Sequence, residues 1–410
     1  MVAVVIAAAT LVERGWGTDV AREMVYGSWW FVALWGVVAA SGMGLIVWRR
    51  MWRRPALLLL HVGFVVILAG ALVTRLTGCS GFMHLRVKDA AQTFWVRQSG
   101  EALYKGRQLP FMLCLSDFEV TYDEGTTTPR DYISHVVIAE HDAKRETTIS
   151  MNNIARVDGY RIYQTSFDDD LRGSVFTISY DPWGTPITYA GYALLALGMM
   201  ASVRKTPSSP SGFPSPLGGS TAPGDKDYSD LAEGNSLLRA VGGPSAPPKG
   251  GWEGRWGCRV RWSAVWAWFI GVLLASYMVV AIAIKPLVPV LRSPLLFVHV
   301  GVIMISYVLL VVSIVRRSVL RVAVYFLAAG IFLGAIWASV SWGTYWSWDP
   351  KEAWALVTLI VYSLPLHERS LPWFRSTVHY RCYILFALAV LLMTYFGVNF
   401  LLGGMHSYTN

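Results

Sequence analysis

The chain has 410 residues, 54% of them hydrophobic and 15% charged, with 19 Trp and a formal charge of +9. Soluble domains usually carry about a quarter charged residues, so the composition excludes a charge-coated soluble enzyme and a disordered chain. Apolar runs of about 20 residues turn the positive charge towards a bilayer rather than nucleic acid. Four cysteines, Cys79, Cys114, Cys258 and Cys382, form no Cys-x-x-Cys pair and so offer neither a redox motif nor a zinc site. A Cys79–Cys114 disulfide is open to the chain only if both residues lie outside the cell.

Nine segments read as membrane-spanning against ~30 Å of hydrocarbon. They lie near 2–12, 27–48, 55–74, 185–203, 263–284, 294–315, 319–341, 352–366 and 382–402. The first is short at ~1.5 Å per residue. No basic stretch precedes it, so it reads as a spanning helix whose start is missing or misassigned rather than as a signal peptide. The eighth is also short and is expected to borrow residues from the Trp-rich stretch before it. If the segments alternate, Arg49, Arg50, Arg53, Arg54, Arg204, Lys205, Arg316, Arg317, Arg321, Arg369, Arg375 and Arg381 all fall on one side. That side is then cytoplasmic, with the N-terminus inside and the C-terminus outside.

Residues 76–183 fall outside and hold 11 Lys+Arg against 15 Asp+Glu. Their alternating runs, such as Tyr132–Glu140 and Ser174–Tyr180, predict strands. Residues 206–258 are rich in Ser, Pro and Gly and read as a cytoplasmic linker. The expectation is a polytopic α-helical membrane protein with a small external β-rich domain. Segments one to three occupy 1–75, the external domain 76–183, segment four 184–205, and a second membrane domain 259–410.

Eight histidines are present. His84, His135, His141 and His379 read as surface residues. His61 sits about six residues into segment three and His367 at the same end of segment eight. His299 lies near the outer end of segment six, and His406 follows segment nine on the outside. An imidazole in hydrocarbon needs a partner, which the backbone of a neighbouring helix can also supply; two depth-matched pairs, His61 with His367 and His299 with His406, point instead to ligands of a planar metallocofactor. Between them runs Trp342-Gly-Thr-Tyr-Trp-Ser-Trp-Asp-Pro-Lys-Glu-Ala-Trp354. An interfacial belt explains scattered Trp. Trp342, Tyr345, Trp346, Trp348 and Trp354 packed around Asp349, Lys351 and Glu352 instead make a broad face with a polar edge, suited to a large aromatic ligand. Lys351 suits an anionic group such as a haem propionate, or Asp349 or Glu352. Asp349 and Pro350 predict a helix start.

The stretch from Trp342 to Glu352 resembles the tryptophan-rich WWD signature of haem-handling proteins in cytochrome c maturation. Ser293–Val300, with His299, and Gly397–Tyr408, with His406, resemble the CcsA/ResC segments that bear the external haem ligands. His367 resembles the transmembrane histidine of that half. Leu60–Ala71, with His61, resembles the histidine-bearing segment of CcsB/ResB, and Gly159–Ser166 and Asp181–Gly184 resemble the end of its outer domain. The whole chain except the linker thus resembles a CcsBA fusion of the system II pathway, with a short first helix and a compact outer domain as its departures.

The resemblance implies a holocytochrome c synthetase of the bacterial cytoplasmic membrane, with haem b as bound substrate. Haem would pass from His61 and His367 to His299 and His406 and be joined there to the Cys-x-x-Cys-His motif of apocytochrome c. Thiol-reducing proteins and membrane lipid are the further partners, and nucleic acid is not one. The addition needs reduced thiols and a fixed orientation; Asp349 and Glu352 are the acid–base candidates. Two other readings remain, a haem transporter serving a separate ligase and a membrane di-haem electron-transfer subunit.

Overall fold

The computed structural model describes residues 1–97, 104–123, 125, 129–140, 143–204 and 293–402. The fifth expected segment (263–284), the linker, His141, Cys258 and His406 lie outside those residues. Each of the other expected segments coincides with a helix: α1 Val2–Trp16, α2 Trp29–Trp48, α3 Pro55–Thr77, α4 Gly184–Arg204, α5 Pro294–Val312, α6 Leu320–Ser341, α7 Pro350–Ser363 and α8 Thr377–Leu392. A π-helix, Met393–Leu402, continues α8. By length and composition, six of the described helices are apolar enough to cross a membrane. Helices α1 and α7, with 15 and 14 residues, reach only ~20 Å at ~1.5 Å per residue.

The eighth segment draws only Pro350 and Lys351 from the Trp-rich stretch before it. Asp349 caps α7 by accepting from the Lys351 amide at 2.9 Å, with Pro350 in the first turn. Gly343 (φ +86°) and Trp348 (φ +62°) hold the preceding backbone out of helical space. Extra length comes instead at the other end, where a 3₁₀ turn runs from Leu364 to His367.

Helix α2 is apolar around its whole circumference, yet only Phe31 is buried, as for a helix that faces lipid. Helices α3 and α4 meet through glycines seven residues apart: Gly63 and Gly70 on one, Gly184, Gly191 and Gly198 on the other. A Cβ on Gly191 would lie 3.0 Å from the Gly63 carbonyl oxygen, and one on Gly70 would lie 2.7 Å from the Thr188 amide. With no hydrophobic drive between helices in lipid, such close backbone approach supplies the association.

Between α3 and α4 the chain forms one antiparallel sheet in the order β5-β4-β3-β2-β1-β8-β7-β6. Its strands are β1 Cys79–Arg86, β2 Ala90–Arg97, β3 Tyr104–Tyr122, β4 Pro129–Glu140, β5 Ala143–Ser150, β6 Ala155–Val157, β7 Tyr160–Phe167 and β8 Gly173–Tyr180. The sheet curls towards closure: Ser150 bridges to Asn153 between the edge strands, and Arg145 donates to the Arg156 carbonyl. The alternation read in the sequence turns Met83, Leu85, Phe94, Phe111, Leu113, Val136, Ile138, Phe176 and Ile178 into a buried core. Cys79 and Cys114 are free thiols.

His84 bonds to Asp168 at 2.9 Å on the surface of this domain, while Arg86 reaches both Asp168 and Asp170. The Arg86 guanidinium holds the Asp170 carboxyl below its ordinary value of 3.8. A carboxylate with a depressed folded pKa stabilises above its unfolded value and loses that stabilisation as pH falls through the folded one. Asp170→Asn is therefore expected to lower neutral stability slightly, as for an exposed ion pair, and to flatten the acid limb below about pH 4, so that the two profiles converge at low pH. Unfolding of the full-length chain, followed across that range, tests this.

Candidate haem-handling site

His61 lies on α3 and His367 in the 3₁₀ turn after α7, one from each half of the chain. Their rings approach to 6.3 Å between centroids at an interplanar angle of 85°. His61 Nδ1 donates to the Leu57 carbonyl at 2.9 Å, and His367 Nδ1 donates to the Ser363 carbonyl at 3.0 Å. A carbonyl only accepts, so each Nδ1 bears the proton, which in a neutral imidazole leaves the lone pair on Nε2. Among the described residues no group of three or more His, Cys, Asp or Glu gathers as a metal site.

His299 sits near the start of α5, where its Nδ1 donates to the Gly330 carbonyl of α6 at 2.7 Å. Gly330 lies midway along α6, whose C-terminal end meets the β-sheet domain. Arg161 reaches the Ser339 hydroxyl at 3.1 Å and the Gly343 carbonyl at 3.4 Å. Tyr163 donates to the Ser339 carbonyl at 2.9 Å, and Ser179 donates to the Gly343 carbonyl at 3.3 Å. Burial pushes the Tyr163 hydroxyl up to about 12, which keeps it a donor at neutral pH.

Gly343 takes a left-handed backbone, and a Cβ there would fall 2.5 Å from the Tyr163 ring. Gly343→Ala therefore combines a backbone penalty of about 1–2 kcal/mol with overpacking of similar size. The expected result is a lowered melting temperature of the purified chain and faster proteolytic cleavage of the outer domain.

The aromatic loop is held from several sides. Trp348 stacks on Tyr26 at 4.9 Å and 10°, and meets Phe31 edge-on at 5.1 Å. Trp354 donates to the Thr10 hydroxyl of α1 at 3.0 Å. Trp346 meets Trp348 edge-on, and Trp342 meets Trp337 at 4.7 Å. Tyr345 donates to Thr74 at 3.0 Å, Thr74 donates to Asp181 at 2.8 Å, and Asp181 accepts from Gly184 and Thr185 at the start of α4. That chain of bonds ties the loop to the ends of both helices that flank the outer domain.

The charged residues of the loop have structural bonds. Asp349 caps α7, and Glu352 accepts from the Ser347 amide at 2.8 Å and from its hydroxyl at 3.2 Å. Lys351 donates to Asn399 of the terminal π-helix at 3.0 Å. Sequence reading missed Thr10, Tyr26, Arg161, Tyr163 and Asn399. The first two lie outside any motif, whereas Arg161 and Tyr163 lay inside the Gly159–Ser166 stretch without an assigned role.

Two family matches cover separate halves of the chain: the ResB-like family over residues 46–175 and the Cytochrome C assembly protein family over residues 313–406. Protein NrfI of Wolinella succinogenes is 28% identical over 297 residues, covering 49% of this chain and 33% of NrfI. Cytochrome c biogenesis protein CcsA of Chlamydomonas reinhardtii is 34% identical over 155 residues, 30% of this chain and 43% of that one. CcsA of Guillardia theta is 48% identical over 83 residues, 20% of this chain and 27% of that one. The chain thus spans less than half the length of each of these relatives. The chain therefore joins a ResB-like region and a Cytochrome C assembly (CcsA-like) region in one polypeptide, the arrangement of a fused, CcsBA-type cytochrome c biogenesis protein.

Proposed function

We propose that this chain carries haem b from the cytoplasmic to the outer face of a bacterial cytoplasmic membrane and joins it there to apocytochrome c. The observation that carries the reading is the His61–His367 pair. Their ring centroids stand 6.3 Å apart, close enough for both imidazoles to serve one iron. Both Nδ1 atoms donate to backbone carbonyls, the second-shell bond that orients a ligating histidine. The arginine clusters support a cytoplasmic position for this pair, where His61 and His367 would receive the substrate. His299 and His406 would hold it at the outer end, beside the loop of Trp342, Tyr345, Trp346, Trp348, Lys351 and Trp354.

The reaction is addition of each reduced cysteine thiol across a haem vinyl group. A C–S bond forms at one vinyl carbon, the thiol proton ends on the other, and no electrons are gained or lost. Reduced thiols are required, so thiol-reducing proteins are the natural further partners. The protein's part is positioning: axial histidines fix the iron, and the loop fixes the ring. Asp349 and Glu352 are bonded into the loop and α7, so they act as its supports rather than as acid–base groups.

Expression of this chain alone in a host stripped of other maturation genes, with a cytochrome c reporter, is the test. Covalent holocytochrome is the expected product. A chain that purifies loaded with haem yet yields no holocytochrome would mark a transporter for a separate ligase and overturn the synthetase reading.

A further inference from the structure

Helix α5 packs on α6 through a glycine seat. Gly330 and Gly334 stand one turn apart on α6. A Cβ on Gly334 would fall 2.6 Å from Cε1, 2.8 Å from Nδ1 and 3.3 Å from Nε2 of His299. The imidazole therefore rests directly on the Gly334 backbone, in space that any other side chain would fill. A Cβ on Gly330 would fall 2.5 Å from Cδ1 of Ile303, one turn along α5. The Gly330 carbonyl accepts from His299 Nδ1 at 2.7 Å. The seat thus sets the ring's depth, its plane and its tautomer together.

We infer that Gly334 and the Gly330 carbonyl are positioning elements for the outer haem ligand. The absent side chain at Gly334 lets the Nδ1–Cε1–Nε2 side of the ring pack against α6, and the carbonyl fixes the proton on Nδ1, so that His299 presents the Nε2 lone pair to iron. The bond also raises the ligand's basicity, as outer-shell carbonyls do for metal-bound histidine, and so sets the electronic character of the bound iron. This inference rests on His299 being an outer haem ligand.

The test uses the full-length chain with His61 and His367 replaced by alanine, purified in detergent and titrated with haemin. The readouts are haem stoichiometry, the low-spin EPR signature and the reduction potential, with His299→Ala, Gly334→Ala and Gly70→Ala compared. Gly70→Ala is as crowded sterically, with a Cβ only 2.7 Å from the Thr188 amide, but lies on α3. Gly334→Ala is expected to lower outer haem retention at least fivefold and to change the axial signature, with partial rescue by free imidazole. Gly70→Ala is expected to lower stability without changing that signature.

If His299→Ala loses the haem while Gly334→Ala keeps the unaltered signature and potential, the seat is overturned and the ligand reading stands. If His299→Ala keeps the haem unchanged, the ligand reading falls first. Should Gly334→Ala not accumulate, the double variant with His299→Ala separates the causes. Recovery of folded protein identifies the imidazole as what the new Cβ strikes, and failure to recover overturns the seat.

Discussion

Alanine at either His61 or His367 is expected to remove haem from that pair and to lower holocytochrome yield by about a hundredfold or more. Loss of a second-shell partner alone costs about 10–100-fold in metal affinity, and a ligand itself should cost no less. The double variant should be little worse than either single one, because residues that act as a unit are not additive. The rings are 6.3 Å apart and come from α3 and from the turn after α7, so the pair exists only when the two halves of the bundle are docked. The check is the low-spin spectrum of the purified protein together with a haem stain of the reporter. Retention of both in either variant would return His61 and His367 to ordinary histidines bonded to their own helix backbone, at Leu57 and Ser363.

The second large effect comes from a residue that touches no substrate. A Cβ on Gly198 would lie 2.9 Å from the Leu60 amide nitrogen and 3.1 Å from Leu59 Cβ, beside His61. Gly198→Val must therefore push α3 away from α4 at the level of the histidine. Overpacking of this kind costs about 1–3 kcal/mol, and the displaced backbone carries His61 with it. The expected outcome is a lower melting temperature together with at least tenfold weaker haem retention. Gly44→Ala, on α2 with nothing within 4 Å of its new Cβ, should change neither.

The sequence was most legible along the membrane normal. Helix rise and arginine position give depth, so depth alone could match His61 with His367, and the structure brings those two rings together. Lateral neighbours leave no such trace. Nothing in Thr10 or Tyr26 says that they meet Trp354 and Trp348, because side-chain partners across a bundle depend on which helices adjoin. The strand alternation of β1 to β8 was readable, but the docking of Arg161 and Tyr163 on Ser339 and Gly343 was not. The glycines carried a signal that periodicity could have found, with Gly184, Gly191 and Gly198 seven apart and Gly330 and Gly334 four apart, spacings that place small residues on one helix face. Segment eight misled because an apolar run does not record where φ turns positive; Trp348, at +62°, is not a residue from which that is foreseen.

That left-handed tryptophan gives the two halves a dependence on each other that their sequences do not advertise. A bulky residue at positive φ carries a penalty of about 1–2 kcal/mol, and Trp348 keeps the conformation under the stacked ring of Tyr26 and the edge of Phe31, both supplied by the other half. The shape of the aromatic loop is therefore conditional. A polypeptide holding only 293–402 would contain every tryptophan of the loop and still lack the clamp that sets its backbone. Where evolution divides such a protein into two chains, the division would turn this clamp into an obligatory subunit contact, formed before the loop could present a surface to anything.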